Sequence, residues 1–210
     1  MDKTFFHISD EPREEHIEEY EKARLSVLPY LKDCKIIDAL SDYKFYEKGL
    51  VDIPVCAINH IEPFIENNVP HLWSYYCTSQ YESVSNRFFS MPLARTRIYG
   101  VLVYKFGMEG ILHWGFNFYN SQFSKKSVNP YEVTDCEGSF PSGDAFLVYP
   151  GEGGKPEESI RLMAMNEALQ DYRALKLLEA KIGKTAVIEL LEEGLSEPLT
   201  FFEYPKSPEY

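Results

Sequence analysis

KTFFHISDEPREEHIEEYEKARLSVLPYLKDCKIIDAL, Lys3–Leu40, holds three segments of different period, and the order in which they come decides the fold. Lys3–Ile8 is a short β-prone run. Pro12, Glu14 and Glu15 then open a segment in which Ile17, Tyr20, Ala23, Val27 and Leu31 recur at helical spacing, with proline and acidic residues where a helix N-terminus favours them. Pro29 is expected to end or kink that helix. Lys35–Leu40 reads as a second, buried strand. Strand, helix and strand in that order predict two parallel strands joined by a crossover.

The pattern repeats along the chain. Val55–Asn59 reads as a third strand, separated from the second by YKFYEKGLVD, long enough for a short crossover helix. VPHLWSYYCTS gives a fourth, aromatic strand, SMPLARTRIYGVLVYKFG an amphipathic helix, and GILHWGFNFYN a fifth strand. A loop rich in Gly, Pro, Ser and Asn runs from Ser121 to Lys155. In the helix that follows, Leu162, Met165, Leu169, Tyr172 and Leu175 form one apolar stripe, with Arg161 and Asp171 as anchors to neighbouring loops. From Lys176 onward a short terminal helix and an aromatic, Pro-containing tail are expected.

Five βα units give an α/β chain with a parallel sheet. A closed (β/α)8 barrel takes about 250 residues and leaves no free sheet edge. The expectation is therefore a TIM-barrel type truncated to its last five units, strand 4 through helix 8 plus a C-terminal tail, forming one domain over residues 1–210. An open, doubly wound sheet complete in itself is the alternative.

Composition narrows the partners. With 21 Lys and Arg against 33 Asp and Glu the net charge is −12, a field that repels phosphate backbones, so nucleic acid is not expected as a partner. Cys34, Cys56, Cys77 and Cys136 are too scattered for a zinc knuckle or a thioredoxin-like pair and are expected as reduced, mostly buried thiols. The sequence has no signal-like apolar run and no window near the roughly 20 apolar residues of a membrane span, so a cytoplasmic chain with no membrane partner is expected.

Several stretches, taken in order from His7 to Glu179, carry a resemblance: HISDEP, HLWSYYCTS, YGVLVYKFGMEGILHWGFNFYN, FLVYPG and SIRLMAMNEALQDYRALKLLE. Together they resemble the catalytic domain of glycoside hydrolase family 123. The resemblance implies a (β/α)8 barrel that cleaves terminal β-linked N-acetylgalactosamine by substrate-assisted retention, with an adjacent Asp-Glu pair at the end of the fourth strand. Asp10 and Glu11 match that pair. The family's preceding β-sandwich and first barrel strands have no counterpart here. A sheet cut before its fourth strand exposes an edge, which a second copy or a partner chain is expected to cover over Phe5–Ile8.

In such a reaction the sugar's own 2-acetamido oxygen attacks the anomeric carbon, so the protein supplies no carboxylate nucleophile. One carboxyl protonates the leaving oxygen; another group holds the acetamide in line and balances the charge of the oxazolinium ring. By the resemblance Asp10 orients the acetamide and Glu11 is the general acid and base. Read from the residues alone, Asp10 equally suits a helix cap and Glu11 a first helical turn.

Strand-end aromatics suit a carbohydrate site, because a pyranose face stacks on Trp or Tyr while its hydroxyls bond nearby amides. Trp73, Tyr75, Trp114 and Asn117 are the substrate-binding candidates, with core packing as their alternative. Trp73 and Tyr75 share one strand face, Asn117 is expected near a strand's carboxyl end, and the hydroxyl of Tyr75, rather than Tyr76, is expected to donate to the acetamide carbonyl. His7 and His113 are expected to pack inside the barrel and bond neighbouring strands. No metal and no cofactor are expected, since His7, Asp10, Glu11 and His16 straddle a strand-to-helix break and present no regular ligand face. A non-catalytic carbohydrate-binding or interaction remnant of such a barrel is the alternative to an active glycosidase.

Overall fold

Apolar runs broken by short polar turns build one five-stranded, all-parallel sheet whose spatial order follows the sequence. Its strands are β1 (Phe5–Phe6), β2 (Lys35–Leu40), β3 (Ile53–Ala57), β4 (Trp73–Tyr75) and β5 (Gly110–Leu112). The structure, a computed structural model, describes residues 4–31 and 34–206. Lys3, expected to begin the first strand, and the last four residues of the expected tail lie outside them. The register is continuous: Phe5 opposes Lys35, Ile37 opposes Ile53, and Val55 opposes Trp73, which in turn opposes Gly110.

An order without reversal separates this sheet from a doubly wound one, in which the strand order turns back at a switch point. Curvature adds to this. Laid flat, β1 and β4 would lie about 14 Å apart, three strand spacings. Yet the rings of Phe5 and Trp73 meet edge to face with centroids 5.6 Å apart. The sheet curls, and both rings are on its concave side, as in part of a barrel.

The chain divides into two compact units, one made of Met1–Tyr75 with Gly107–Leu112, the other of Tyr76–Phe106 with His113–Tyr210. The first holds the sheet and three helices, α1 (Ile17–Leu31), α2 (Lys44–Glu47) and α3 (Glu62–Glu66). The helical register predicted for α1 slips at one position. Ala23 is exposed, whereas Tyr20 and Leu31 are buried and Arg24, Val27 and Leu28 partly so. Tyr20 packs edge to face on Phe45 within a core completed by Leu40, Leu50 and Val51. Pro29 does not end the helix, which runs two residues further. In the last turn a proline forfeits only one N–H bond.

The second unit is built on α4 (Leu93–Lys105), α5 (Ile160–Ile182), α6 (Lys184–Glu192) and an antiparallel hairpin of β6 (Val148–Pro150) and β7 (Pro156–Glu158). Amphipathic α4 is an expectation the structure corrects, because its residues Ile98 to Tyr104 are all buried. A helix apolar all round belongs inside. It packs on α5 so closely that a Cβ at Gly100 would lie 1.9 Å from the Ala168 carbonyl oxygen. The α5 face is therefore narrower than the predicted stripe: Arg161, Ala164 and Ala168 are buried, and Leu169 is exposed. Ser159 caps α5 by accepting from the Leu162 N–H. Asp171, expected to anchor a neighbouring loop, instead pairs with Arg97 of helix α4 at 2.6 Å.

Candidate active site

β1 ends at Phe6, and the chain then turns at Asp10 and Glu11. Glu11 has φ 44°, in the left-handed region, and Pro12 behind it is buried. A non-glycine residue there costs about 1–3 kcal/mol, and the residue before a proline is biased towards extended backbone. Such strain persists only where surrounding structure imposes it. The helix that follows does not do so: its first turn is a 3-10 segment, Glu14–His16, with Arg13 at the N-cap. Asp10 and Glu11 thus precede the cap, and the helix-start alternative for the pair is not the observed geometry.

A contact from across the sheet fixes Glu11. The Tyr75 hydroxyl donates to its Oε1 at 2.5 Å. Tyr75 was expected to serve an acetamide; here it serves the carboxylate, because both residues stand at the carboxyl ends of their strands on the concave face. Tyr75 is buried, only 3% exposed. Trp73 is half-buried. One ring edge meets Phe5, and its six-membered ring lies so close over β5 that a Cβ on Gly110 would fall 2.1 Å from it. Asp10 is exposed beside this group. His7, expected inside, is instead largely exposed, although its Nδ1 does bond Asp38 of the adjacent strand.

The second unit contains the other two predicted residues and a buried network that sequence reading did not find. The expected fifth strand stops at Leu112, so Asn117 lies beyond it, exposed, on an isolated bridge to Phe146. Gly115 accounts for the departure. Its backbone approaches Ala145 so closely that a Cβ would stand 2.7 Å from the Ala145 oxygen. Trp114 is 39% exposed and packs on Phe118 and Phe140, with centroids 5.2 and 4.8 Å away. Its indole N–H donates to Asp144 Oδ2 at 2.8 Å. Asp144, fully buried, also accepts from Thr78 at 2.8 Å and from His113 Nε2 at 3.2 Å.

The tautomer of His113 follows from its other nitrogen. Nδ1 faces two donors, Arg87 Nη2 at 2.8 Å and the Gly115 N–H at 3.0 Å, so it carries no proton and Nε2 donates to Asp144. Burial, aided by the charge of Arg87, lowers the His113 pKa against the raising effect of Asp144. Burial alone would raise Asp144, but the hydrogen bonds from His113, Thr78 and Trp114 outweigh it and hold the carboxyl below its usual range. Buried Arg161 completes the frame by donating to the carbonyls of Arg87, Gly143 and Phe146. The sequence singles out His113, Trp114 and Arg161 one by one; for Asp144 the signal is an Asp set between glycine and an apolar run, in GDAFLV.

A pH dependence follows. Near neutrality His113 is uncharged in the fold, whereas in the unfolded chain an imidazole takes up a proton as the pH falls through about 6.5. The unfolded state then binds more protons, and stability drops as the pH falls. Asp38, whose carboxyl burial raises, works in the opposite sense. The expected result is a urea midpoint that declines from pH 7 to pH 5 in the parent and declines less in His113→Gln. Parallel profiles for the two would mean that His113 titrates alike in both states.

Among the described residues, no group of three or more His, Cys, Asp or Glu side chains is placed to hold a metal ion, and no helix is long and apolar enough to cross a membrane. The sequence profile of the glycoside hydrolase 123 catalytic domain matches residues 1–178, which run through both units. No curated protein matches the sequence. Among solved structures, the fold is similar to a family 123 glycoside hydrolase from Clostridium perfringens, studied for glycolipid glycan hydrolysis, with a TM-score of 0.66 and 21% identity over 93% of this chain. The chain spans about a third, 35%, of that protein's length.

Proposed function

Because the chain belongs to the glycoside hydrolase 123 catalytic-domain family, we propose that it acts on a terminal β-N-acetylhexosaminide, N-acetylgalactosamine foremost, by a substrate-assisted retaining mechanism. The observation that carries this reading is the Asp10–Glu11 turn. It stands at the carboxyl end of a parallel strand, where (β/α) barrels keep their chemistry, it is strained at Glu11, and it is joined to Tyr75 instead of to the helix behind it.

In the first step the acetamide oxygen bonds to the anomeric carbon as the bond to the leaving oxygen breaks, and the proton of Glu11 passes to that oxygen. Asp10 orients the acetamide N–H and balances the positive charge on the ring that forms. In the second, Glu11 takes a proton from water, whose oxygen bonds to the anomeric carbon and releases the acetamide, giving a sugar of retained configuration. Tyr75 fixes the Glu11 side chain for both transfers. Trp114, its ring plane set by the bond to Asp144, offers a face for a pyranose, with Asn117 for a hydroxyl. Trp73, engaged by Phe5 and Gly110, contributes an edge or a wall.

The sheet is read as part of a (β/α)8 barrel, with both units in one catalytic domain. The outer edge of β1, whose Phe5 and Phe6 are exposed, is read as the seat of a further strand. That open edge favours a second reading, a domain that binds the sugar without cleaving it. Turnover decides between them: the chain is incubated with the nitrophenyl β-glycoside of N-acetylgalactosamine and with its 2-hydroxy counterpart. Release of nitrophenol from the first alone supports the hydrolase. Saturable binding of N-acetylgalactosamine with no release supports the binding domain, and neither would remove the family's chemistry from this chain.

A further inference from the structure

We propose that Asp38 is the positioning residue of this site: its buried carboxylate holds the backbone before Asp10 and Glu11 so that Glu11 meets Tyr75. The role rests on the function proposed above, but the placement can be tested without it.

Asp38 interrupts the apolar run of β2 between Ile36 and Leu40, and its side chain is fully buried. A lone carboxylate there is costly unless it is hydrogen-bonded throughout. Three of its four partners come from the segment that follows β1. Oδ1 accepts from the N–H of Ile8 at 3.1 Å, from the N–H of Ser9 at 3.3 Å and from His7 Nδ1; Oδ2 accepts from the Tyr20 hydroxyl of α1 and lies 3.3 Å from the Ile8 N–H. The β1 ladder ends at Phe6, so these two backbone donors have no strand partner. Asp38 replaces the missing ladder with a side chain.

The consequence lies two residues on. With Ile8 and Ser9 tied to β2 and Pro12 buried, the segment between them is pinned at both ends, and Glu11 is held at positive φ with its carboxylate against Tyr75 of β4. An aliphatic residue would satisfy the packing of β2 equally well and avoid burying a charge. What it would not do is fix the strand end. The four donors also fill the roughly four acceptor sites of a carboxylate, leaving Asp38 none for substrate, which makes it a positioning group and not a catalytic one.

The test uses the full chain, Asp38→Asn and Asp38→Glu. Asn offers one acceptor oxygen in place of two; Glu keeps the charge but shifts it by a methylene. In the parent, a double-mutant cycle of Glu11→Ala and Tyr75→Phe, each of which removes one partner, is expected to show about tenfold coupling on the unfolding equilibrium, the worth of a side-chain hydrogen bond. In both Asp38 variants that coupling is expected to fall to near unity, and amide exchange at Ile8 and Ser9 to quicken at least tenfold. Where turnover is measurable, kcat is expected to fall at least tenfold with KM within about twofold, at temperatures where the variants remain folded. Coupling and exchange unchanged in Asp38→Glu, or in Asp38→Asn, would overturn the proposal. If Asp38→Asn does not fold, Asp38→Glu decides alone. If the parent cleaves nothing, the proposed function fails while coupling and exchange still settle the placement.

Discussion

Glu11→Gln is expected to lower turnover of an N-acetylhexosaminide with a simple alkyl leaving group by about 10² to 10⁴, the usual worth of general acid catalysis. An alkoxide is a poor leaving group and needs the proton as the bond breaks, whereas a nitrophenolate departs with little help. The same variant is therefore expected to retain far more activity on the nitrophenyl glycoside. Its loss is expected chiefly in kcat, because the proton is needed only as the transition state forms. The variant also keeps the shape of the side chain, and its amide oxygen still accepts from Tyr75, so the fold should change little. Equal losses on the two leaving groups would move Glu11 out of the acid role.

Asp10→Asn is expected to behave differently, with losses of about 10² to 10³ on both substrates, the scale seen when a group that stabilises developing charge is removed. Leaving-group quality should not matter, since the loss falls on the oxazolinium ring and not on the departing oxygen. This outcome also separates catalysis from capping, because Asn caps a helix about as well as Asp and a cap would make the substitution nearly silent. The structure argues against a cap, with Arg13 occupying the N-cap and Asp10 exposed three residues earlier. A silent Asp10→Asn beside a damaged Glu11→Gln would leave orientation of the acetamide to another group.

How far the sequence announced these features depended on the length scale of the signal. Lys35–Leu40 was read with its observed bounds, and five parallel strands were counted correctly, because buried parallel strands are apolar runs between turns. Helix α3 escaped, since five residues with a proline in the first turn show no period. The β6–β7 hairpin lay hidden in a loop whose glycines mark turns without saying what they join. The fifth strand was drawn too long because aromatic alternation continues past Leu112, while the bonds that bend the chain there, from His113 and Gly115, come from residues more than twenty positions away.

The site followed the same rule. Asp10 and Glu11 were singled out through the family resemblance, since the residues alone suited a helix start equally well, and Tyr75 because strands alternate. That Tyr75 reaches Glu11 depends on the curl of the sheet, which no local pattern encodes. Asp144 and Asp38 were passed over for a related reason. A charged residue in a loop or strand looks solvated until its donors are known, and those of Asp38 lie 18 to 31 positions away. In hindsight KIIDAL held a clue, a carboxylate at a strand position whose neighbours on the same face are apolar.

The claim that the substrate's own acetamide is the nucleophile is tested most directly by a series of nitrophenyl glycosides that differ only at that group: acetamido, fluoroacetamido, difluoroacetamido and trifluoroacetamido. Each fluorine withdraws electrons from the carbonyl oxygen and weakens it as a nucleophile, while leaving the sugar ring and the leaving group unchanged. Substrate assistance predicts that kcat/KM falls steeply and steadily along the series. Rates that stay level from acetamido to trifluoroacetamido would contradict it, and would require an enzyme carboxylate or a water molecule as the attacking group.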